Sequence, residues 1–269
     1  MNKLINLFFV AALAFWNLAP FLWQWVTSLK DPARVSQLPP IWPAPVDFKN
    51  YQAVLSNEPF MHVIGNSLVV SLGATLVSLA VGSLGAFGIC RLLKKGKEGV
   101  LLALLVVFMI PPVAVVTPFF ELLGSLHLRD SLLGLILVYS VFTVPPAVWV
   151  MYQVFDELPG SLYHAARVDG CGHWRMFWRI YLPAGRTGLV SAGLLNLIFC
   201  WNEFLFALTF TSTWQARTVP VGISLFSGQF VYPWGEISAA GAIVTLPILA
   251  IVLLGNNYLV RGLAGGVKG

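Results

Sequence analysis

The sequence predicts an all-α protein, a polytopic membrane helical bundle of about six transmembrane helices that form a single transmembrane domain over residues 1–269. Of the 269 residues, 58% are hydrophobic and only 10% are charged, whereas a typical soluble domain carries roughly 25% charged residues. Runs such as Val100 to Ile110 are apolar on every side, which excludes the alternation of a barrel strand. Six stretches reach the roughly 20 apolar residues that a spanning helix needs. They cover residues 4–28, 64–90, 99–123, 132–152, 187–211 and 237–260.

The distribution of charge predicts the orientation of these helices. With a cytoplasmic N-terminus, eleven of the 16 Lys and Arg residues lie in inside segments and five in outside segments, as the positive-inside rule expects. Both termini are therefore predicted to be cytoplasmic. The inside residues are Lys3, Arg91, Lys94, Lys95, Lys97, Arg167, Arg175, Arg179, Arg186, Arg261 and Lys268, and the outside residues are Lys30, Arg34, Lys49, Arg129 and Arg217. No basic stripe stands apart from the helix flanks, so no nucleic-acid partner is expected.

Several kinds of chemistry are disfavoured because the residues that they need are absent or do not have the required spacing. Cys90, Cys171 and Cys200 form no CxxC pair, so no disulfide or metal framework is predicted, and the four histidines fit no common zinc spacing. No Ser-His-Asp or two-carboxylate arrangement falls in a common site, so neither catalytic residues nor an enzyme is predicted. The sequence has no P-loop for ATP, and any energy from ATP must come through a partner.

Two segments between spans are too long to be simple turns. The outer segment, residues 29–63, is rich in proline and contains Trp42 and Tyr51, which predicts an extended excursion anchored by aromatic residues. It is too short to form an independent core. The inner segment covers residues 155–186.

The second span carries small or hydroxyl-bearing residues at helical spacing, which predicts a seam where another helix packs closely. These residues are Ser67, Ser71, Ala74 or Thr75, Ser78, Gly82 and Gly85. Prolines within or beside spans predict kinks, because proline removes a donor and clashes with the preceding turn. They are Pro20, Pro111, Pro112, Pro118, Pro145, Pro146 and Pro247.

The inner segment predicts two short helices separated by a glycine. Ser161 is a good N-cap, and Gly170 suits a left-handed C-terminal cap. A second helix, residues 173–182, is stopped by Pro183. Aromatic residues recur on it at three- and four-residue steps with Arg175 and Arg179 opposite, which is also typical of an interfacial helix on lipid headgroups. The aromatic residues are Trp174, Phe177, Trp178 and Tyr181.

The first of these helices favours a protein contact over a lipid contact, because it is rich in alanine and lacks an apolar face. Its sequence resembles the EAA motif of permeases of binding-protein-dependent ABC importers. The matching residues are Ala165, Ala166, Arg167, Val168, Asp169 and Gly170, followed by Phe177, Ile180, Leu182 and Pro183. The resemblance implies a coupling helix that docks into the ATPase subunit. The residues implied to make this contact are His164, Ala165, Ala166, Asp169 and Gly170.

Further matches cover nearly the whole chain and resemble the carbohydrate branch of these permeases, to which the maltose and glycerol-3-phosphate permeases belong. Among them are Trp42-Pro43, Asn66-Ser67, Trp201-Asn202-Glu203-Phe204 and a glycine-rich tail from Gly262. The resemblance implies the type I ABC importer permease fold in a bacterial inner membrane, surrounded by lipid. It also implies three kinds of protein partner: an ATPase dimer that binds ATP and Mg, a second homologous permease in a heterodimer, and a periplasmic or lipid-anchored solute-binding protein. This chain itself would bind no cofactor.

Two positions depart from the family pattern, and one further segment has two interpretations. His164 stands where the family usually has Glu, and Thr187 stands where it usually has proline. If Ser161 is the N-cap, position 164 is the third helical residue, where Glu would close a capping box and His closes it poorly. The tail residues Gly265, Gly266 and Lys268 are implied to reach the ATPase interface, although the tail is also typical of a frayed terminus.

Few ionisable residues fall within the spans, and those that do are candidates for function. On the fifth span, Asn196, Cys200 and Glu203 are predicted to share one face beside Asn202. Asn196, Asn202 and Glu203 either line the translocation path or gate, or anchor neighbouring helices. Glu121, near the outer end of the third span, is expected to be solvated.

No Lys or Arg is expected at mid-membrane, whereas the spans contain many aromatic, Asn and Ser side chains. An unpaired anion at such a site would be costly, so the sequence predicts a neutral sugar or sugar-like polyol as solute. Two alternatives remain at this stage. One is a secondary transporter or channel, for which inverted repeats would be expected, and the other is a structural assembly subunit.

Overall fold

The computed structural model describes residues 2–35, 41–43, 45–226 and 232–265, with backbone alone from residue 256. The described residues form helices, turns and loops without a strand. The α-helices are α1 (Asn2–Ser28), α2 (Lys49–Leu55), α3 (Glu58–Phe87), α4 (Lys97–Phe108), α5 (Pro112–Ser125), α6 (Leu132–Asp156), α7 (Gly160–Val168), α8 (His173–Met176), α9 (Leu182–Ala184), α10 (Arg186–Asn202), α11 (Leu205–Phe210), α12 (Val219–Ser224) and α13 (Trp234–Gly265). A 3-10 turn covers Pro32–Arg34, and π-helical turns cover Gly88–Leu92 and Phe177–Tyr181.

The number of membrane helices agrees with the prediction. In the described part of the chain, four helices are long and apolar enough to span a membrane, and the number becomes six if each of two bent helix pairs counts as one span. The four are Ile5–Ser28, Glu58–Leu92, Leu132–Asp156 and Trp234–Gly255, and the pairs are Lys97–Phe108 with Pro112–Ser125 and His173–Ala184 with Arg186–Asn202. The all-α membrane bundle is thus confirmed.

The third predicted span is not one helix. Its two halves, α4 and α5, meet at an angle of 86°. Pro111 has extended backbone (φ −60°, ψ 127°) because the ring of Pro112 disfavours helical conformation in the residue before it. The kink predicted at these prolines is therefore a complete break.

The fifth predicted span, residues 187–211, is also interrupted. Helix α10 ends at Asn202, Glu203 is extended (φ −67°, ψ 128°), and α11 begins at Leu205. At its other end, α10 is bent by 77° from the helical segment His173–Ala184. Pro183 lies inside that segment, so the prediction that it stops the helix is wrong by one or two residues.

The chain divides into two compact units. The first comprises the chain up to Ile64 and Val219–Leu249. In it the buried Asn50 side chain donates hydrogen bonds to the carbonyls of Ser28 (3.0 Å) and Lys30 (2.8 Å), and the Tyr51 hydroxyl pairs with Ser28 Oγ at 2.8 Å. The outer excursion is thus anchored at Tyr51 as predicted, whereas Trp42 is 70% exposed. Helix α3 begins at Glu58, so the excursion ends before that residue and not at residue 63 as predicted.

The second unit comprises Gly65–Thr218 and the chain from Ala250. The seam predicted on the second span packs against α6. A Cβ at Gly82 would lie 2.7 Å from Ala147 Cβ, so the missing side chain permits the close approach of the two helices. Ser78 Oγ is hydrogen-bonded to Thr143 Oγ1 across the same seam.

Candidate functional site

The candidate coupling helix is α7, and its C-terminal end adopts the predicted left-handed cap. Gly170 has φ +72°. The N–H of Cys171 donates to the carbonyl of Ala166 at 2.9 Å, and the N–H of Gly170 donates to the carbonyl of Arg167 at 3.1 Å. This pair of hydrogen bonds is a Schellman motif, which satisfies carbonyls that the helix end would otherwise leave open.

The N-terminal end of α7 differs from the prediction. The helix begins at Gly160 with Pro159 as N-cap, and no side chain caps it. Ser161 is therefore the second helical residue and His164 the fifth, so His164 does not occupy the capping-box position that an N-cap at Ser161 would give it. The Pro159 ring fixes φ near −54°. This restriction of the backbone, and not a hydroxyl cap, marks the start of the helix.

The five candidate coupling residues fall into two groups. His164, Ala165, Asp169 and Gly170 are exposed. Ala166 is only 6% exposed and belongs to the chain's own core. The exposed residues form a surface of small and polar side chains at the end of α7.

The core beneath α7 fixes the helix to the membrane helices of the second unit. It joins residues of α3, α6, α7 and the segment that follows α7. The buried members are Ala86, Phe87, Cys90, Val148, Met151, Phe155, Ala166, Met176, Phe177 and Tyr181. The ring of Tyr163 also stacks on that of His173, with centroids 6.4 Å apart. Helix α7 is therefore held by aromatic packing and not by its short backbone alone.

Sequence analysis missed Val168 as a possible contact residue. It is 87% exposed in the last turn of α7, beside the exposed Asp169 and Gly170. Its side chain therefore adds apolar surface to the exposed end of α7.

The aromatic face predicted after α7 is divided in the structure. Phe177 and Tyr181 are buried, whereas Trp174 and Trp178 are 64% and 50% exposed. The rings of Trp174, Phe177 and Trp178 nevertheless contact one another, with centroids 5.2–6.2 Å apart. Tyr181, at the end of the π turn, packs instead against Phe87 and Phe155.

The candidate residues of the translocation path lie around the end of α10. Asn196 is buried, and its Nδ2 donates to the carbonyl of Thr143 on α6 at 3.1 Å. Asn202 is exposed and donates to the carbonyl of Ile198 at 2.8 Å. Glu203 is half-buried. These residues are neighbours along the chain, but they do not form one helical face because α10 ends before Glu203.

Glu203 caps the short helix α11. Its Oε1 accepts a hydrogen bond from the N–H of Phe206 at 2.9 Å, and its Oε2 accepts one from the N–H of Ala207 at 3.2 Å. These first-turn amides have no partner within their own helix, so the carboxylate stabilises the break between α10 and α11. Two roles were predicted for Glu203, in the translocation path or gate and as an anchor to a neighbouring helix, and these hydrogen bonds are made to the helix that follows directly in the chain.

The tail residues Gly265, Gly266 and Lys268 cannot be placed at a site. The backbone of α13 extends to Gly265, and the remaining tail lies outside the described residues. Glu121 lies on α5 and is exposed, as expected.

Comparisons with known proteins identify the class to which this arrangement belongs. A family model described as "Binding-protein-dependent transport system inner membrane component" matches residues 78–265. The chain belongs to this family. The matched region includes α7, its core and the break after α10. The resemblance stated from the EAA motif is thus confirmed, and the chain is a permease subunit, the non-catalytic part of such a transporter.

Curated relatives match this permease over nearly its whole length. It is 36% identical over 255 residues to the trehalose transport system permease protein SugB of Mycobacterium tuberculosis, covering 94% of this chain and 93% of that protein. It is 35% identical over 258 residues to the trehalose/maltose transport system permease protein MalG of Thermococcus litoralis, covering 94% and 92%. The sulfoquinovosyl glycerol transport system permease protein SmoH of Agrobacterium fabrum is 34% identical over 255 residues, covering 94% and 90%.

The fold is shared with a solved transporter. A chain in the crystal structure of a bacterial ABC transporter that imports the acidic polysaccharide alginate matches with a TM-score of 0.81 at 18% identity, over 95% of both chains. At this identity the match shows the fold alone. The permease fold of an ABC importer is therefore established for this chain.

Proposed function

We propose that this permease subunit belongs to an ATP-driven importer that moves a neutral sugar or sugar-like polyol across the bacterial inner membrane by alternating access. The observation that carries the proposal is α7, a capped helix with an exposed end, packed onto membrane helices in a chain of this permease family. ATP and Mg are bound by a partner ATPase dimer. A second homologous permease and a periplasmic or lipid-anchored solute-binding protein complete the complex.

The coupling contact is proposed at the exposed end of α7. Ala165 and Gly170 present little side-chain bulk toward solvent, so a groove of the ATPase can approach the helix closely there, and His164 and Asp169 offer exposed polar groups beside them. Ala166 supports the same contact from the buried side, since its small side chain lets α7 lie close to its core. Closure of the ATPase would displace α7, and the packed core would transmit that displacement to α3 and α6.

The solute is proposed to be neutral because of where the cations lie. Every Lys and Arg in the described residues falls in a loop or toward a helix end, so none is available at mid-membrane to replace the hydration of an anion. The exposed amide of Asn202 is suited to bonding sugar hydroxyls, whereas the buried amide of Asn196 donates to the carbonyl of Thr143. The names of SugB and MalG, which refer to trehalose and maltose, support a sugar.

The proposal is tested by reconstituting the complete complex with its binding protein and measuring solute-stimulated ATPase activity. Neutral disaccharides, neutral polyols, sugar phosphates and acidic oligosaccharides form the panel. Stimulation by neutral compounds is expected. If acidic or phosphorylated compounds alone stimulate the ATPase, the neutral-solute proposal is wrong and the permease assignment stands.

The tail is proposed to contact the ATPase dimer. The basis is the resemblance of the Gly265-Gly266-Val267-Lys268-Gly269 sequence to the family. Deleting these five residues should lower the yield of assembled complex or alter its ATPase activity. If both remain unchanged, the tail is a frayed terminus.

A further inference from the structure

Arg91 lies at the inner end of α3, in the π turn Gly88–Leu92, and contacts two other elements. Its Nη2 donates to the carbonyl of Phe155 at 2.9 Å and to the carbonyl of Leu158 at 2.7 Å. Phe155 is in the last turn of α6, and Leu158 immediately precedes the N-cap of α7. One guanidinium nitrogen therefore joins α3 to the end of α6 and to the start of α7.

The same guanidinium contacts the segment that follows α7. Its Cζ lies 5.4 Å from the centroid of the Tyr181 ring, within the range of a cation–π interaction. Tyr181 is fully buried in the core that also contains Ala166. Arg91 is thus in contact with the chain on both sides of α7.

The electrostatic environment of Arg91 explains why its charge can remain there. Among the described residues, no carboxylate lies within ion-pairing distance of Arg91. Its partners are carbonyls at the C-terminal end of α6, where the helix dipole places partial negative charge. Its Nε is buried and makes no hydrogen bond within the described part of the chain. The side chain is held by backbone carbonyls and a ring, all of which belong to segments that flank α7.

We propose that Arg91 is a positioning residue for energy coupling, which fixes α7 to the inner end of α3. This inference rests on the proposed function of α7 as the coupling helix. Ala166 is the buried residue that α7 itself contributes to the core, so the chain on either side of α7 supplies much of its attachment. The two carbonyl hydrogen bonds and the Tyr181 contact restrict motion of α7, so a push on α7 is passed to α3 and α6 instead of being absorbed in the loop.

Arginine is better suited to this position than lysine. A guanidinium is planar and can donate to two carbonyls while its face lies against a ring, whereas a lysine ammonium is a strongly hydrated point charge. Arg91→Lys should therefore restore coupling only in part. Arg91→Met keeps much of the side-chain length and removes both the charge and the donors, so it tests the contacts with little change in packing.

The experiment uses the complete complex in lipid nanodiscs or proteoliposomes and measures solute transported per ATP hydrolysed, together with the melting temperature. Arg91→Met should lower this ratio about tenfold, within the range known for residues that carry coupling, while ATPase activity persists. Arg91→Lys should give an intermediate ratio. The matched control is Lys95→Met, which removes the same charge from an exposed residue nearby, and its ratio should stay within about twofold of the parent.

Three outcomes would overturn the inference. An unchanged ratio in Arg91→Met would show that the contacts do not carry coupling. A proportional loss of transport and ATPase activity with a lower melting temperature would assign Arg91 a merely structural role. If Lys95→Met lowered the ratio of transport to ATP hydrolysis equally, the effect would be due to net charge and not to the contacts of Arg91. Failure of the proposed function is distinguishable, because the parent complex itself would then show no ATP-dependent transport.

Discussion

At the residue scale, left-handed backbone occurs in three loops of the described part of this permease, and two of its residues lead to predictions. Gly170 ends α7 with φ +72°, and Asp130, between α5 and α6, has φ +52° although it is not glycine. An L-residue in this conformation usually costs about 1–2 kcal/mol. Asp130 offsets the cost through its carboxylate, which accepts hydrogen bonds from the N–H groups of Ser212 (2.8 Å) and Thr213 (3.1 Å) and from Thr213 Oγ1 (2.8 Å).

The cap at Gly170 predicts different effects for two substitutions of similar size. A Cβ at Gly170 would meet no atom of this chain within 4 Å, so only the backbone conformation opposes a side chain here. Gly170→Val should weaken the cap by about 1–2 kcal/mol because a β-branched residue disfavours φ +72°, and it should lower the transport supported per ATP. Gly170→Asn should retain most of the coupling, since Asn tolerates left-handed backbone.

The measurement is solute transport and ATP hydrolysis by the assembled complex. Normal coupling in Gly170→Val would contradict the role of the cap. If both variants fail equally, the glycine is needed for close contact with the ATPase and not for its conformation.

The hydrogen bonds to Asp130 predict a pH dependence of stability. Burial raises the pKa of this carboxyl, but the hydrogen bonds from Ser212 and Thr213 outweigh burial and hold the pKa below the ordinary value of 3.8. A lowered folded-state pKa means that the stabilisation is complete above about 3.8 and is lost as the pH falls through the folded-state value.

Asp130→Asn isolates this effect, because Asn tolerates the same backbone and keeps one acceptor. At pH 7 the variant should lose about 1 kcal/mol of stability, a modest value because the site is partly exposed. Thermal unfolding in detergent should show a difference from the parent that shrinks as the pH falls below about 3.8. A difference that is independent of pH would refute the role of the charge.

At this scale, the sequence predicted a feature of the backbone only where residues close in the sequence determine it. The cap at Gly170 was predictable because only the backbone preference of glycine decides it. The N-cap was not, because the helix begins before Ser161, at a Pro159 N-cap that offers no capping side chain. Capping of α11 by Glu203 was not predictable either, since it depends on the break after Asn202.

At the element scale, two Pro-Pro pairs show that a dipeptide alone does not decide whether a helix breaks. Pro111-Pro112 separates α4 from α5 with a bend of 86°, whereas α6 continues through Pro145-Pro146 without interruption. The spanning window of α6 is 56% buried, while residues 105–114 around the first pair are exposed. Neighbouring helices thus hold α6 together where the same dipeptide breaks a less supported helix.

The seam between α3 and α6 predicts the effect of one added methyl group. Gly82→Ala would place its Cβ 2.7 Å from Ala147 Cβ and 3.2 Å from backbone atoms of α6, so the helices must separate, at a cost of about 1–3 kcal/mol. Gly65→Ala is the matched control on the same helix, since its Cβ would meet nothing within 4 Å.

Thermal unfolding of the two variants compares them directly. Gly65→Ala should be neutral or stabilise the helix by up to about 1 kcal/mol, because alanine has the higher helix propensity. Gly82→Ala should melt several degrees below it. Equal melting temperatures would contradict the close packing of α3 on α6.

At the scale of the whole molecule, the hydrophobic pattern and the EAA motif were sufficient to predict the class of protein. Both signals are carried by composition and by residues close in sequence. Burial of Phe177 and Tyr181 beside exposed Trp174 and Trp178 was not predictable, because it depends on contacts with Phe87 and Phe155, which are distant in the sequence. The core under α7 was therefore visible only in the folded chain.

The central claim is that this permease transports solute only when an ATPase acts through α7. The most direct measurement is uptake of labelled neutral disaccharide into proteoliposomes containing either the complete complex or the two permease subunits alone, with the binding protein outside and ATP and Mg on the ATPase side. Uptake should require the ATPase, ATP and the binding protein together, and Gly170→Val should reduce it. Uptake by the permease subunits alone, without ATP, would contradict the account.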